Sequence, residues 1–146
     1  MDIRPATTDE HPAIRGLLGS AALPVADLAD VDVAFLVAHD GARLVGAIGL
    51  QPFDGVGLLR SLVVDADARG SGIGDRLVRA LEEDAGDRGL RQLVLLTQTA
   101  APFFTRRGYG VIERAAAPAT VQASAEFRAL CPDSATCMAK HLEMAE

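Results

Sequence analysis

The spacing of hydrophobic positions alternates along the chain between a helical and a strand period, and this alternation predicts an α/β domain. Apolar residues recur every three or four positions in two segments, one around Ile14 and Leu18 and one around Leu77 and Leu81. Short apolar runs of strand length lie between and after these segments. We expect strands at residues 2–6, 33–38, 43–50, 58–64, 92–97, 109–113 and 136–142.

Residues with special backbone preferences mark where these elements begin and end. Thr7 and Glu10 have the spacing of a capping box ahead of the first helix, and Asp40-Gly41 is typical of a hairpin turn. The same signals predict a loop or short helix at 22–32, a turn at 52–57, the end of the second long helix near Gly89, and short helices at 100–107 and, more weakly, 118–130. The resulting order has an antiparallel front half and alternating helices and strands behind it.

Composition narrows the class of protein. The chain has 146 residues, is 49% hydrophobic and has a mean hydropathy of +0.20, which fits one domain over residues 1–146. No apolar run approaches the ~18 residues of a membrane span, and no basic stretch followed by an apolar one opens the chain, so we expect a cytoplasmic protein without a membrane partner. The net charge of −6 argues against general nucleic-acid binding.

The most informative segment joins the strand at 58–64 to the second long helix. It reads Arg69-Gly-Ser-Gly-Ile-Gly74, a glycine turn that opens a helix. Such a turn presents consecutive backbone N–H groups at the positive end of the helix dipole, which suits a phosphate or pyrophosphate. A Rossmann site needs this turn in the first βαβ unit and an acid about 20 residues later, where Val94 stands instead. A P-loop is excluded because the Gly-Lys-Ser/Thr ending is absent.

At these residues the chain resembles the GNAT superfamily of acyl-CoA N-acyltransferases. The family fingerprint Arg/Gln-x-x-Gly-x-Gly/Ala is matched by Arg69, Gly72 and Gly74. The frame of a second family element is matched by Thr97, Ala100, Phe103, Phe104, Gly108 and Tyr109. The resemblance implies a single-domain α/β (α+β) fold with a mixed twisted sheet of about six to seven strands flanked by helices. It also implies acetyl-CoA as cosubstrate without a metal, and a small-molecule amine as acceptor, and it allows a homodimer.

The resemblance assigns cofactor contacts by position. The backbone of Leu62, Val63 and Val64 would pair with the pantetheine arm like an added strand. The pyrophosphate would lie on the amides of Arg69, Gly70, Ser71, Gly72, Ile73 and Gly74. The thioester end would contact Thr97, Ala100, Phe103 and Phe104.

Two positions depart from the family pattern. Phe104 stands where many members have a tyrosine that protonates the leaving thiolate, and Leu58 stands near the place of a glutamate base. The residues that could replace them are Ser61, Thr99, Tyr109 and Glu113. Tyr109 also fits a structural aromatic, and Glu113 also fits a solvated strand end.

Arg60 is the unusual residue of its strand, because a charge inside an apolar run is costly unless it is paired or exposed. It is interpreted either as a solvent-facing or ion-paired structural residue, or as an anion clamp that binds the acceptor's carboxylate or a similar group.

The segment Leu130-Cys-Pro-Asp-Ser-Ala-Thr-Cys-Met138 also attracts attention. With residues 59–62 and 95–97, it resembles a GNAT branch associated with arsenic-resistance operons and related to phosphinothricin-type acetyltransferases. This resemblance implies an organoarsenical or phosphinothricin-like amine as acceptor. Cys131 and Cys137 lack a histidine at ligand spacing, so they predict no zinc site; they are either thiols that bind trivalent arsenic or small buried residues. Two functions stay open: an acetyltransferase, or a binding module that kept the cofactor groove and lost the chemistry.

Overall fold

A computed structural model describes residues 2–23, 25–26, 33–124, 127–128 and 134–142. These residues form a mixed sheet of seven strands in the order β1-β2-β3-β4-β5-β7-β6, with helices on both faces. The strands are β1 (Asp2–Pro5), β2 (Ala34–Asp40), β3 (Arg43–Pro52), β4 (Val56–Val64), β5 (Gln92–Thr97), β6 (Gly110–Val111) and β7 (Thr136–His141). The helices are α1 (His11–Ser20), α2 (Ile73–Asp87), α3 (Ala101–Thr105) and α4 (Ala119–Gln122). The predicted fold class is therefore confirmed.

The connections explain why the sheet is mixed. Strands β1 to β4 pair antiparallel in sequence order, whereas β4 and β5 pair in parallel because α2 carries the chain back between them. Strand β7 then inserts antiparallel between β5 and β6. This order puts the end of β4 and the start of α2 at the middle of the sheet.

The two long helices cover opposite faces. Helix α2 packs into a core with Ala38 and Ile48, whereas α1 packs with Val37 and Ala47. Successive side chains of a strand point to opposite faces, so the two helices flank the sheet. The buried face of α2 has the predicted helical spacing and consists of Ile73, Leu77, Val78, Leu81 and Ala85.

Three sequence predictions are wrong in their bounds. The turn predicted at 52–57 is shorter, because β3 continues to Pro52 and β4 already begins at Val56, with Gly55 at a φ of +75° between them. Pro52 is tolerated because it forms the last pair of the ladder, opposite Gly57.

The strand predicted at 109–113 is reduced to Gly110–Val111, because the residues from Arg114 to Ala116 turn as a 3-10 helix. The helix predicted at 118–130 is interrupted: α4 covers Ala119–Gln122, residues 123 and 124 are non-helical, and Phe127 and Arg128 have helical backbone of the π type. The capping box at Thr7 is confirmed, although the turn that it opens, Thr8–Glu10, is a 3-10 helix that precedes α1.

A bulge and a separation of strands distinguish the centre of the sheet. Ala47 pairs with Val63 and Gly49 with Arg60, so two residues of β4, Ser61 and Leu62, lie opposite one residue of β3. On its other edge, β4 pairs with β5 only over Val56–Leu58. Beyond this stretch the two strands diverge, and the candidate site lies in the gap.

Candidate active site

The glycine turn presents its backbone to an open groove. Gly70 and Gly72 have φ angles of +87° and +82°, in the left-handed region that L side chains avoid. A Cβ at either position would meet nothing within 4 Å, so space beside the turn is open. Gly72 caps the N-terminus of α2, and the first residues of this helix, whose amides have no acceptor within the helix, line the groove. Ser71 supports the turn through its Oγ, which donates to the carbonyl of Ala68 at 2.7 Å.

The groove beside this turn has a volume of about 670 Å³. One wall is the second half of β4, residues 62–64, and the other is α3 with Phe103. A Cβ on Gly74 would lie 3.3 Å from Phe103 Cζ, so glycine at this position lets α2 and α3 approach closely. The predicted cofactor residues from Leu62 to Val64, the glycine turn, Ala100 and Phe103 thus surround one groove.

A second cavity of about 300 Å³ continues the groove toward the centre of the sheet. Leu62, Thr99 and Ala100 line both spaces. Thr97 accepts the Ala100 N–H at 3.0 Å on its Oγ1, which fixes the start of α3 at the junction. The inner cavity lies in the gap between the diverging β4 and β5, with Arg60 and Ser61 in its wall.

Arg60 is 2% exposed, so its charge is held inside the protein. The guanidinium donates from an Nη atom to Gln51 Oε1 at 3.2 Å and from Nε to Ser61 Oγ at 3.3 Å. A solvent-facing Arg60 is therefore excluded, and this leaves a buried structural role or an anion clamp as its interpretations. A guanidinium carries a planar fork of N–H donors, the geometry that matches an anion such as a carboxylate.

Ser61 combines burial with an unfavourable backbone conformation. It is the bulged residue of β4, is 8% exposed and has a φ of +60°. A non-glycine residue in this region costs about 1–2 kcal/mol and persists where the surroundings fix it. Its hydroxyl lies beside Arg60 in the same cavity wall.

Phe104 lines the inner cavity and is 4% exposed. Its ring meets those of Phe103 and Tyr109 edge-on, with centroid distances of 5.1 and 5.4 Å. These contacts place the ring between the cavity and the core under α3. A hydrocarbon ring therefore stands at the position where the family resemblance implies a phenol.

The four candidates for proton transfer lie in different places. Ser61 and Thr99 line the inner cavity. Tyr109 is absent from its wall; the phenol is 2% exposed and donates to Glu82 Oε2 at 2.8 Å. Burial, followed by the nearby Glu82 carboxylate, raises the pKa of Tyr109 well above its usual range. Glu113 is exposed and also lies outside the cavity wall.

Two site features escaped the sequence analysis. Gln51 lies near the end of β3, where it is the one polar residue besides Arg43, a signal that could have paired it with Arg60. Arg107 lies one helical turn beyond Phe103 and lines the groove, which the spacing of four residues could have indicated. Ala21 and Leu23, which follow the end of α1, line both spaces.

Of the two cysteines, Cys137 is among the residues that the structure describes. Cys131 lies outside the described residues, and Cys137 is buried in a core cluster with Val94 and Val121. Burial raises the pKa of the Cys137 thiol. The described residues contain no group of three or more His, Cys, Asp or Glu side chains that could hold a metal ion. Within the same residues, no helix has both the length and the apolar character needed to cross a bilayer.

Known proteins share this sequence and this architecture. The model of the acetyltransferase (GNAT) domain matches residues 32–111. The chain is 37% identical over 78 residues to the N-acetyltransferase YjcF of Bacillus subtilis, a stretch that covers 53% of this chain and 56% of that protein. It is 35% identical over 85 residues to the amino-acid acetyltransferase of Ralstonia nicotianae, covering 57% of this chain and 18% of that protein. The matches thus span little more than half of the first relative and less of the second.

Solved structures extend the likeness over almost the whole chain. Rv2747 of Mycobacterium tuberculosis, solved in complex with CoA, has a TM-score of 0.82 at 26% identity and covers 98% of this chain and 100% of that one. N-acetylglutamate synthase of Neisseria gonorrhoeae, solved with CoA and L-arginine, has a TM-score of 0.80 at 21% identity, over 97% of this chain and 33% of that one. The order of the strands and the likeness over almost the whole chain place the protein in the α/β fold class of these neighbours. Because the domain model matches more than half of the sequence, this chain belongs to the GNAT acetyltransferase family.

Proposed function

We propose that this chain transfers the acetyl group of acetyl-CoA to the primary amine of a small anionic acceptor that resembles an amino acid. The observation that carries the proposal is the continuity of the two spaces. A groove beside the glycine turn leads, past Leu62 and Ala100, into a cavity with the buried Arg60 in its wall. The groove suits a long phosphorylated donor, and the cavity suits a small acceptor.

The described residues fit acetyl-CoA as the donor substrate. Gly70 and Gly72 leave open space beside backbone amides at the positive end of α2, as a pyrophosphate requires. Residues 62–64 lack a strand partner on the β5 side among the described residues, so their N–H and C=O groups can pair with the amides of an extended pantetheine arm. The thioester then lies toward the inner cavity.

The reaction that we propose is a direct transfer in a ternary complex. The amine nitrogen attacks the thioester carbonyl carbon, a C–N bond forms, the C–S bond breaks, and CoA leaves as the thiolate while the amine loses a proton. A backbone N–H of Val63 or Val64 polarises the carbonyl oxygen. No acetylated cysteine is needed, and Cys137 is absent from the walls of both spaces.

Positioning supplies much of the rate in this proposal. Holding an amine against a thioester can contribute about 7–11 kcal/mol of the barrier. Proton transfer by a positioned group contributes typically about 100- to 10,000-fold, and Phe104 cannot supply it. Of the four candidates, Ser61 and Thr99 line the cavity, so we assign the proton route to these hydroxyls and to water.

The acceptor's anionic group binds Arg60 in this proposal. A guanidinium presents a planar fork of donors that matches a carboxylate, a phosphinate or an arsinate. An amino acid with such a group therefore fits, and this includes phosphinothricin and its arsenical analogue. Relatives described as amino-acid acetyltransferase and N-acetylglutamate synthase support the amino acid part of the proposal.

The test measures thiol release from acetyl-CoA with a panel of amines. The panel contains glutamate, aspartate, phosphinothricin, its arsenical analogue and neutral amines of similar size. We expect release above the hydrolysis background for at least one anionic acceptor. Arg60→Ala should raise the KM of this acceptor by about 10-fold or more, the value of a charge-assisted bond, and change the KM of acetyl-CoA by less than about twofold. Unchanged acceptor kinetics in Arg60→Ala would remove Arg60 from the acceptor site.

A second candidate function is a binding module without catalysis. Among the described residues that line the inner cavity, Arg60 is the one with an ionisable side chain, so none of these residues supplies a carboxylate or an imidazole to the reacting atoms. An acyl-CoA or arsenical sensor would need the groove and not the chemistry. Acetyl-CoA binding without turnover across the whole panel would favour this function over the enzyme.

The two thiols offer a related hypothesis, that Cys131 and Cys137 bind trivalent arsenic. Arsenite binding by the wild type, lost in the Cys131→Ser, Cys137→Ser double variant, would support it; equal binding by both would contradict it. A homodimer and a cytoplasmic location stay predictions of the sequence, and light scattering of the purified chain tests the first.

A further inference from the structure

Arg107 lies at the outer end of the cofactor groove. Along the wall formed by α3 and its flanks, Ala100 lies where the groove joins the inner cavity, Phe103 lies about one turn further out, and Arg107 about one turn beyond that. If the thioester lies toward the inner cavity, the opposite end of the donor lies toward Arg107. This direction rests on the function proposed above.

The Arg107 side chain is held in one orientation. Its guanidinium lies over the Phe103 ring at 3.6 Å from the centroid, and an Nη atom donates to the Phe103 carbonyl at 2.8 Å. Its buried Nε forms an ion pair with Asp75 Oδ1 at 3.0 Å, without the alignment of a hydrogen bond. A guanidinium fixed in this way binds an anion without first losing much side-chain freedom.

The charges along the groove favour a second anion beyond the pyrophosphate. The amides of residues 70–74 suit the diphosphate, and the described groove wall adds two arginines, Arg69 and Arg107. Arg69 donates from Nε to the carbonyl of Val64, which turns it toward β4. Asp75 also lines the groove, but its carboxylate is within 3.1 Å of Arg79 and 3.0 Å of Arg107.

Coenzyme A carries such a second anion, the phosphate on the 3′-oxygen of its ribose. We infer that Arg107 binds this 3′-phosphate and thereby makes the protein prefer CoA to dephospho-CoA, which lacks it. Arg107 is thus a specificity-determining residue of the donor site. The merely structural alternative is that Arg107 only neutralises Asp75, in which case its loss weakens the diphosphate contact equally for both ligands.

The test compares the two ligands by calorimetry in matched variants. A charge-assisted bond to phosphate corresponds to about 10- to 100-fold in affinity, so we expect wild type to bind CoA tighter than dephospho-CoA by this factor. Arg107→Gln should reduce the ratio of the dissociation constants of dephospho-CoA and CoA to less than about threefold, mainly because CoA binds more weakly. Arg107→Lys, which keeps the charge without the planar fork, should retain part of the ratio.

Arg106→Gln is the matched control, because Arg106 is the neighbouring residue, is exposed and does not line the groove. It removes the same charge and should keep the wild-type ratio. Arg69→Gln should weaken both ligands together. Equal binding of the two ligands to wild type, equal weakening of both in Arg107→Gln, or loss of the ratio in Arg69→Gln alone would overturn the inference and leave the proposed function intact. Absence of binding of either ligand to wild type would overturn both.

Discussion

The bulge residue Ser61 permits a test that separates backbone strain from side-chain chemistry. Its φ of +60° is easy for glycine and costly for alanine and serine, and its hydroxyl accepts from Arg60 Nε. Ser61→Ala keeps the strain and removes the hydroxyl. Ser61→Gly removes both. The difference between the two variants therefore reports the strain, less the stability lost because glycine has more freedom in the unfolded chain.

The magnitudes follow from the local geometry. Loss of the 3.3 Å hydrogen bond to the buried Arg60 should cost Ser61→Ala about 1 kcal/mol of unfolding free energy. Ser61→Gly loses the same hydrogen bond but relieves about 1.5 kcal/mol of backbone strain. Glycine also has more freedom in the unfolded chain, which lowers the gain in unfolding free energy by about 0.7 kcal/mol. We therefore expect the glycine variant to be more stable than the alanine variant by ~0.8 kcal/mol.

Urea unfolding followed by circular dichroism measures this difference. With a slope of about 2 kcal/mol/M, the midpoint of Ser61→Gly should lie ~0.4 M above that of Ser61→Ala. A glycine variant less stable than the alanine variant would refute the assignment of strain to this residue. Kinetics on the same samples separate two roles of the hydroxyl: a proton relay would lower kcat in both variants, whereas support of Arg60 alone would raise the acceptor KM.

Two further predictions concern groups away from the cavity. Tyr109→Phe removes the phenol that donates to Glu82, and this should lower the unfolding free energy by about 1–2 kcal/mol. The kcat of this variant should change by less than about twofold. A fall in kcat of about 100-fold or more would instead make Tyr109 the proton donor. Glu10 bonds to Arg4 and His39, and its hydrogen bond to Arg4, above all, lowers the pKa of the Glu10 carboxyl below its usual range. Because the carboxyl of a glutamate has a pKa of about 4.3 in the unfolded chain, ionised Glu10 stabilises the fold above this pH. The stabilisation is lost as the pH falls and the carboxyl is protonated. The free energy of unfolding of Glu10→Gln should therefore fall less than that of wild type between about pH 6 and pH 3. An identical loss in both proteins would contradict this account.

The sequence predicts the parts of the fold whose signal is local. The helical spacing of Leu77, Leu81 and their neighbours identifies α2, and the glycine turn ahead of it could be assigned to phosphate binding because its φ requirements and its helix N-terminus are adjacent in the chain. The continuous apolar run of β5 likewise indicates a strand buried on both faces. Each of these assignments depends on a few consecutive residues.

The inner cavity depends on contacts between distant segments, and these leave no local signal. Arg60 and Gln51 come together because β3 and β4 are paired across a bulge, and the strand spacing of either strand alone does not reveal it. Tyr109 looks equally suited to catalysis and to packing until α2 brings Glu82 within 2.8 Å of its hydroxyl. The short extent of β6 has the same origin, because the turn at residues 114–116 overrides the strand preference of residues 109–113.

The bulge links the two halves of the proposed site. It lies opposite Ile48, at the point where β4 has left β5, so the extra residue changes which residues of β4 direct their backbone groups to the free edge. Arg60 and Ser61 line the inner cavity, while residues 62–64 line the groove. Phe104 provides no proton at this junction, so the catalytic contribution of the protein rests on holding donor and acceptor in register across one strand. It follows that a change in the bulge should affect the kinetic constants of both substrates, whereas Arg60→Ala should affect only the acceptor and Arg107→Gln only the donor.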